Sequence, residues 1–508
     1  MRGSSFVNMH NGGSLPFSGV PVVTVASLRR MVIEAVGEGA EIASLFAAPA
    51  AEGRKSGAGD FLLVAVLSDA HTGVLRVAAA RVEETWPSFT PECAAAHLFE
   101  REIAEQYNVR PEGHPWLKPV RYQPPMRGAL PRQGLPGIGS GPFFRVEGEE
   151  VHEVAVGPVH AGVIEPGHFR FQCHGEEVLH LEISLGYQHR GVESLLTGGP
   201  DKRSIHFTET LAGDTTIGHA TAFCELLEGL SGTEAPPRAQ AIRAIALELE
   251  RAANHVGDLG ALAGDVGFLP TASWCGRVRG DVLNVTAMLC GNRFGRGLVK
   301  PGGVGTYMDE RMEGALADRV KTCARDASGA IDLLWKTPSV LARFEGTGTV
   351  TAETARAIGL TGPAARASGV DHDVRRDHPS GIWRFTHVPV FTWRTGDVFA
   401  RAYVRGLELQ RSLAFIQDQL ASLPAGDVRV PVRPPARGAF ALAAVEGWRG
   451  AICHAAVTDR RGKFSRYKVV DPSFRNWFGL ALAMRGQQIS DFPLCNKSFN
   501  LSYCGHDL

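Results

Sequence analysis

The stretch PRAQAIRAIALELERAANHVGDLGAL, residues 237–262, sets the architecture. Its apolar and small positions Ile242, Ile245, Leu249, Ala252, Val256 and Leu259 fall three and four apart. Strand side chains repeat every second residue, so this spacing predicts a helix with one apolar face. The same period runs through residues 220–230, 312–333 and 398–420. Four such segments are long enough to pack as a helical bundle.

Strand-like segments lie on either side of the bundle. His168–Gln172 and Val178–Ile183 flank a turn at His174–Gly175, and residues 429–457 and 466–470 read as extended. Gly302, Gly303 and Gly305 mark a flexible turn. Nearer the start, Val25–Leu45 has helical periodicity, Phe61–Leu67 and Gly73–Val82 read as strands around Asp69–Thr72, and Cys93–Tyr107 reads as a helix. Between these halves, residues 111–142 carry eight prolines. Proline lacks an N–H and fixes φ, so an extended, protease-accessible connector is expected there. The fold class that follows is α+β. A small α/β domain at 22–118 is joined by a Pro/Gly-rich linker at 119–149 to a large domain with a helical-bundle core at 150–508. No repeat of 20 to 50 residues is present.

The 508 residues include 53 Lys plus Arg against 53 Asp plus Glu, so no basic excess asks for nucleic acid. The apolar run Phe61–Leu67 is too short to cross a bilayer, and no signal peptide is read. A cytoplasmic chain is expected, held at a membrane only by partners. None of the nine cysteines is spaced Cys-x-x-Cys, so reduced thiols are expected here rather than an iron–sulfur cluster or zinc. No glycine-rich loop for a dinucleotide or ATP is found.

The densest polar cluster is Gly186-Tyr187-Gln188-His189-Arg190-Gly191-Val192-Glu193. A buried imidazole beside a carboxylate relays protons; an exposed one is a solvated turn, and residue types alone leave both readings open. Glu248–Asp265 mixes small residues with Glu250, Arg251, His255, Asp258 and Asp265. Arg401 and Arg405 share a helix face, and Glu408 is placed to pair with Arg405.

Glu100-Arg101-Glu102-Ile103-Ala104-Glu105-Gln106-Tyr107-Asn108-Val109, followed by His114-Pro115-Trp116-Leu117, resembles the small partner subunit of complex I. From about residue 150 the chain resembles the large subunit of complex I and of membrane-bound energy-converting [NiFe] hydrogenases of formate hydrogenlyase type. Gly157-Pro158-Val159-His160, the 185–193 turn, Gly302-Gly303-Val304, Arg366-Ala367-Ser368-Gly369, Gly396-Asp397-Val398 and Glu446-Gly447-Trp448-Arg449-Gly450 carry that likeness in order. Where the hydrogenases place two Cys-x-x-Cys pairs, this chain has Ala212 and Thr215, then Ser502 and Gly505, with Cys504 one place off register. Soft thiolates hold nickel and iron, and these residues do not supply them. Of the complex I hairpin histidines only His160 is matched, while Glu165-Pro166 fits the hydrogenase form.

The resemblance implies a peripheral subunit on the cytoplasmic side of the cell membrane. It implies a partner small subunit with a [4Fe–4S] cluster, antiporter-like membrane subunits, quinone or a related acceptor, and NAD only at the level of the whole complex. The residues it singles out are His189, Arg190, Glu193 and Asp265 as catalytic groups, and His160, Glu165 and Tyr187 around a quinone cavity; no metal ligand is expected. A non-catalytic scaffold is the competing expectation.

Overall fold

A computed structural model describes residues 6–49, 61–126, 141–160, 162 and 164–508. The first domain is built on a five-stranded sheet. Strands β1 (Val7–Met9), β3 (Val22–Val23), β4 (Glu41–Pro49), β5 (Phe61–Asp69) and β6 (Val74–Val82) form it, in the order β1-β6-β5-β4 with β3 parallel to β6. Helix α1 (Val25–Gly37) buries Leu28, Val32 and Ala35 and is capped by Thr24. The helix expected to reach Leu45 stops eight residues sooner. The chain turns at Gly39, at φ 104°, and residues 41–49 become β4. Ile42 to Ala48 are all buried, and such two-sided burial favours an extended run over an amphipathic helix. Helix α2 (His97–Tyr107) packs across β4.

Strand β2 (Ser14–Pro16) leaves this sheet and pairs with β12 (Ala439–Gly447) of the second domain, Leu15 opposite Phe440. There it completes a sheet ordered β14-β13-β12-β2, with β13 at Gly450–Thr458 and β14 at Phe464–Val470. One apolar core runs through both domains, taking Phe46, Leu63 and Phe99 together with Phe440, Cys453 and Phe474. These N-terminal strands precede the expected start at residue 22.

The second domain opens with an antiparallel sheet of β7 (Val151–Val156), β8 (His168–His174) and β9 (Glu177–Ser184). After the short α3 (Val192–Leu196) come α4 (Thr216–Ser231), α5 (Pro237–Asp265), α6 (Leu269–Cys290), α7 (Glu310–Trp335) and α8 (Val398–Ala421). Helix α6 had no clear sequence signature: Gly276, Gly280 and a run of polar residues blur its period, and only a narrow stripe around Cys275, Val278, Val282 and Leu289 is buried. The expected flexible glycine turn is a tight hairpin of β10 (Val299–Lys300) and β11 (Gly303–Val304). A Cβ at Gly302 or Gly303 would meet the carbonyls of Val430 or Val428 at 2.2 and 2.1 Å, so backbone contact requires glycine at both places.

The first residues of the expected connector, up to about Gln123, are packed rather than extended in solvent. The Glu105 carboxylate accepts the amides of Val120 (3.1 Å), Arg121 (3.0 Å) and Gln123 (2.7 Å), which fixes this stretch along α2. Residues 127–140 of the expected linker lie outside the described residues. Among the described residues, no helix is long and apolar enough to cross a membrane.

Candidate functional site at the former metal position

Residues 185–191 turn the chain from β9 into α3, with Gly191 at φ 69°. The turn is fastened to residues 504–508. Asp507 accepts the amides of Gly186 (2.8 Å) and Gln188 (2.9 Å), and the amides of Arg190 and Gly191 donate to the Leu508 carbonyl at 2.9 and 3.1 Å. The Arg190 guanidinium donates to the carbonyls of Thr210 (2.7 Å), Leu211 (2.9 Å) and Cys504 (3.4 Å). It therefore spans the two segments aligned with the lost cysteine pairs.

His189 Nδ1 lies 2.7 Å from the Asp507 carbonyl, so that nitrogen carries the proton and Nε2 is left as an acceptor. Burial lowers the imidazole pKa, which keeps the ring neutral at neutral pH. Burial also raises the pKa of the half-buried Tyr187 phenol.

Glu193 turns the other way, into the domain interface. Its carboxylate takes Arg466 Nη1 (2.8 Å), Lys468 Nζ (3.0 Å) and the Val469 amide (3.0 Å), and Gln106 Nε2 of α2 donates to it at 3.2 Å. Lys468 also grips Glu102 (2.6 Å), which is paired with Arg121. Burial alone would raise the Glu193 pKa, but Arg466, Lys468 and Arg121 outweigh it and hold the carboxyl well below its usual range. An acid held so low stays ionised near neutrality, which argues against the expected proton relay. Asp265, the last residue of α5, is exposed, and the charge that acts on it is Lys497 rather than a group of the 186–193 turn.

Three of the four former thiolate positions, Thr215, Ser502 and Gly505, are engaged by other groups. Arg449 pairs with Asp214 through Nη1 (2.6 Å) and Nη2 (2.8 Å), reaches Thr215 Oγ1 at 3.3 Å and donates from Nε to the Asn500 carbonyl at 2.5 Å. Ser502 Oγ accepts the Gly505 amide (2.9 Å), capping the short α10 at Tyr503–Asp507 that follows α9 (Pro472–Ala483). A Cβ at Gly505 would stand 2.7 Å from Asp471 Cγ and 2.8 Å from its Oδ2. The Asp471 carboxylate thus fills the space a thiolate side chain would need, and these residues do not fit a nickel–iron centre. Among the described residues, no three His, Cys, Asp or Glu side chains are grouped to hold a metal.

Asp471 also ends a buried chain of polar groups. Its Oδ2 lies 3.0 Å from His219 Nε2; His219 Nδ1 lies 3.1 Å from His454 Nε2; and His454 Nδ1 lies 2.8 Å from the Tyr467 hydroxyl. With Asp471 an acceptor, one assignment satisfies every link: Tyr467 donates to His454, His454 to His219, and His219 to Asp471. Burial would raise the Asp471 pKa, but His219 and Arg449 hold it below the usual value. Reading the sequence missed this chain, because its members are single residues far apart and Asp471 before Pro472 reads simply as a helix cap, which it also is.

His160 and Glu165 sit on the connection between β7 and β8. His160 Nε2 lies 3.0 Å from the Gly167 carbonyl, and His160 bridges Ile164. Burial and the Glu165 carboxylate together push the Cys504 thiol to about 11, which sets Glu165 beside the former second cysteine pair. Elsewhere in the bundle Arg405 pairs with Asp258 (3.0 Å) rather than with Glu408, which binds Arg366 (2.8 Å) and His255 (2.9 Å). The expected Arg405–Glu408 pair is replaced because the guanidinium is drawn across to α5.

A two-domain α+β chain with a refilled metal position defines a class of redox-complex subunit. Residues 29–133 match the family model of the respiratory-chain NADH dehydrogenase 30 Kd subunit, and residues 265–437 that of the 49 Kd subunit. The carbon monoxide-induced hydrogenase of Rhodospirillum rubrum is 32% identical over 69% of this chain and 97% of its own length. Formate hydrogenlyase subunit 5 of Escherichia coli is 30% identical over 82% of this chain and 76% of its own. NADH-quinone oxidoreductase subunit 4 of Thermus thermophilus is 31% identical over 67% and 90%. The chain belongs to the family of complex I and energy-converting hydrogenase large subunits, fused to a complex I 30 Kd-type domain, and is an electron-transfer oxidoreductase subunit.

Proposed function

We propose that this chain serves a membrane-associated complex in which electrons leave a [4Fe–4S] cluster on a partner small subunit and reach quinone or a related acceptor near the former metal position, without nickel–iron chemistry. The observation that carries this reading is the replacement of the thiolate positions by Ala212, Thr215, Ser502 and Gly505, with Asp471 filling the last of them. Neutral His189 offers Nε2 to an acceptor, Arg190 fixes the turn that presents it, and Tyr187, His160 and Glu165 are the proposed surroundings of the acceptor. Glu193 and Asp265 are left out, one for its ion pairs and the other for its exposed position. Antiporter-like membrane subunits, the cytoplasmic face of the membrane and NAD at another subunit complete the proposed setting, by likeness to the NADH-quinone oxidoreductase and hydrogenlyase relatives.

The test is turnover of quinone by the purified assembly, per complex, beside hydrogen uptake. Quinone reduction lost in His189→Ala with normal assembly supports the reading; hydrogen uptake with bound nickel overturns it. A scaffold role is favoured by one feature, the absence of a second histidine in the 160–165 hairpin. An assembled complex with no quinone reduction would select it.

A further inference from the structure

A cavity of about 550 Å³ lies between the two domains, apart from the Asp214–Arg449 pair. Helix α2 forms one wall with His97 and Arg101, four residues apart on one face. Helix α9 adds Trp477, Phe478 and Ala481 to the lining, with Phe478 packed on His97 at 4.6 Å between ring centroids, and Arg485 follows it. The mouth is framed by Trp116 and Phe144, 37% and 43% exposed, whose rings meet edge to face. A cleft of this size at a domain boundary, with aromatic walls and a few converging polar groups, has the character of a small-molecule site.

Its charge is one-sided. The carboxylate on its lining, Glu182, is taken by Lys118 (2.5 Å) and by the Phe144 amide (2.7 Å). Arg101 donates only to two carbonyls, Lys118 O (2.8 Å) and Pro119 O (3.1 Å), and neither Arg101 nor Arg485 forms an ion pair among the described residues. Burial pulls the Arg101 pKa down, as it does for a buried cation without a close carboxylate. The histidines add no charge: burial drives His97 to about 3, and it lowers His114, His180 and His506 as well. Two guanidinium groups, the half-buried Arg101 and the solvent-exposed Arg485, one from each domain, lie on the lining of this aromatic space.

We propose that this interdomain cleft binds a small apolar anion: a flat aromatic or acyl body held between Trp116, Phe144, Trp477 and Phe478, with one acidic group against Arg101 and Arg485. The ligand touches both domains, so it ties the α2 wall to the α9 wall.

The experiment uses the full chain, alone and in its assembled complex. The probes are 2-naphthoate and dodecanoate, each beside its neutral alcohol, followed by calorimetry and by the emission of Trp116 and Trp477. The acids should bind at least about tenfold tighter than the alcohols, the scale of one charge-assisted hydrogen bond. A preference for naphthoate assigns an aromatic ligand and a preference for dodecanoate an acyl one. Arg485→Gln, which leaves every described contact intact, should remove most of the acid preference while alcohol binding stays. Ala481→Trp, which fills the cleft, should abolish binding of all four probes in a chain whose circular dichroism shows it still folded. Equal binding of acids and alcohols, or full binding to Ala481→Trp, overturns the proposal. So does binding to the free chain that vanishes in the complex, which makes the cleft a seat for a partner subunit.

Discussion

Gly505 lies against the carboxylate of Asp471, so close that a Cβ there would stand 2.7 Å from Asp471 Cγ. One residue has lost its side chain where another has filled the room. Gly505→Ala should destabilise the chain by about 1–3 kcal/mol, the usual cost of forcing an extra methyl into a packed core. Urea denaturation of Gly505→Ala against the unaltered protein, and of Gly505→Ala/Asp471→Ala against Asp471→Ala, measures it. A cost that survives in the double variant would show that Asp471 is not the obstacle.

Restoring all four cysteines at Ala212, Thr215, Ser502 and Gly505 should not restore stoichiometric nickel, in this chain or its complex. A thiolate at 215 would still face the Arg449–Asp214 pair, and one at 505 would meet Asp471. Mass spectrometry of the isolated protein reads the outcome, and nickel near one per chain, in the variant or in the unaltered protein, refutes this account.

Removing Lys468 should loosen the domain interface. Lys468 is 1% exposed and holds Glu102 and Glu193 at once, so Lys468→Ala leaves two buried carboxylates facing an empty place. Breaking a buried pair in this way costs about 3–5 kcal/mol. Glu193→Gln should lower assembly for the same reason, yet turnover per assembled complex should stay level over roughly pH 6–9, far above the carboxylate range. The sign agrees: a carboxyl with a depressed folded-state pKa stabilises above its unfolded value, about 4.3, and loses that contribution only as pH falls through the lower folded value. A pH-dependent loss of turnover per complex in Glu193→Gln would reinstate the relay.

Protease should spare residues 118–123, because the Glu105 carboxylate holds three amides there and Lys118 and Val120 are buried. Limited digestion with mass mapping tests this; early cleavage after Lys118 or Arg121 would contradict it. Proline spacing suggested a free connector through this stretch, since prolines exclude helix and ladder alike. It does not reveal that a side-chain carboxylate supplies the missing acceptors. The bundle helices were legible because their apolar period is local and long. Helix α6 was not, because its buried stripe is narrow and two glycines interrupt it. The lost metal site was legible as absent cysteines, whereas its replacement was not: Asp471, His219, His454 and Tyr467 gain meaning only when the sheet and two helices bring them together.

The imidazole chain makes the last prediction. His219 and His454 are both 0% exposed, and each ring has one donor and one acceptor position, both used. Tyr467→Phe removes a single donor and leaves His454 Nδ1 unmatched, a cost of about 1–3 kcal/mol. His219→Leu cuts the chain at its centre and leaves the buried Asp471 charge with Arg449 but without its imidazole donor, so it should cost more. The pH dependence separates these variants. Burial drives the His454 pKa well below its ordinary value, and His219 adds to that, while Asp471 and Glu193 oppose it. The folded chain then takes up no proton at His454 where the unfolded chain does, so stability is complete above the unfolded value, about 6.5, and falls as pH drops below it. Tyr467→Phe keeps the imidazole and should keep this slope, with the whole curve lowered. His454→Leu removes one of several buried titrating imidazoles and should make the slope shallower, leaving the part due to His97, His114, His180, His189 and His506. Melting temperatures recorded from pH 7.5 down to about 5.5 across that unfolded value decide the matter: an equal slope in His454→Leu and the unaltered protein would mean that the buried chain does not set the acid limit of this fold.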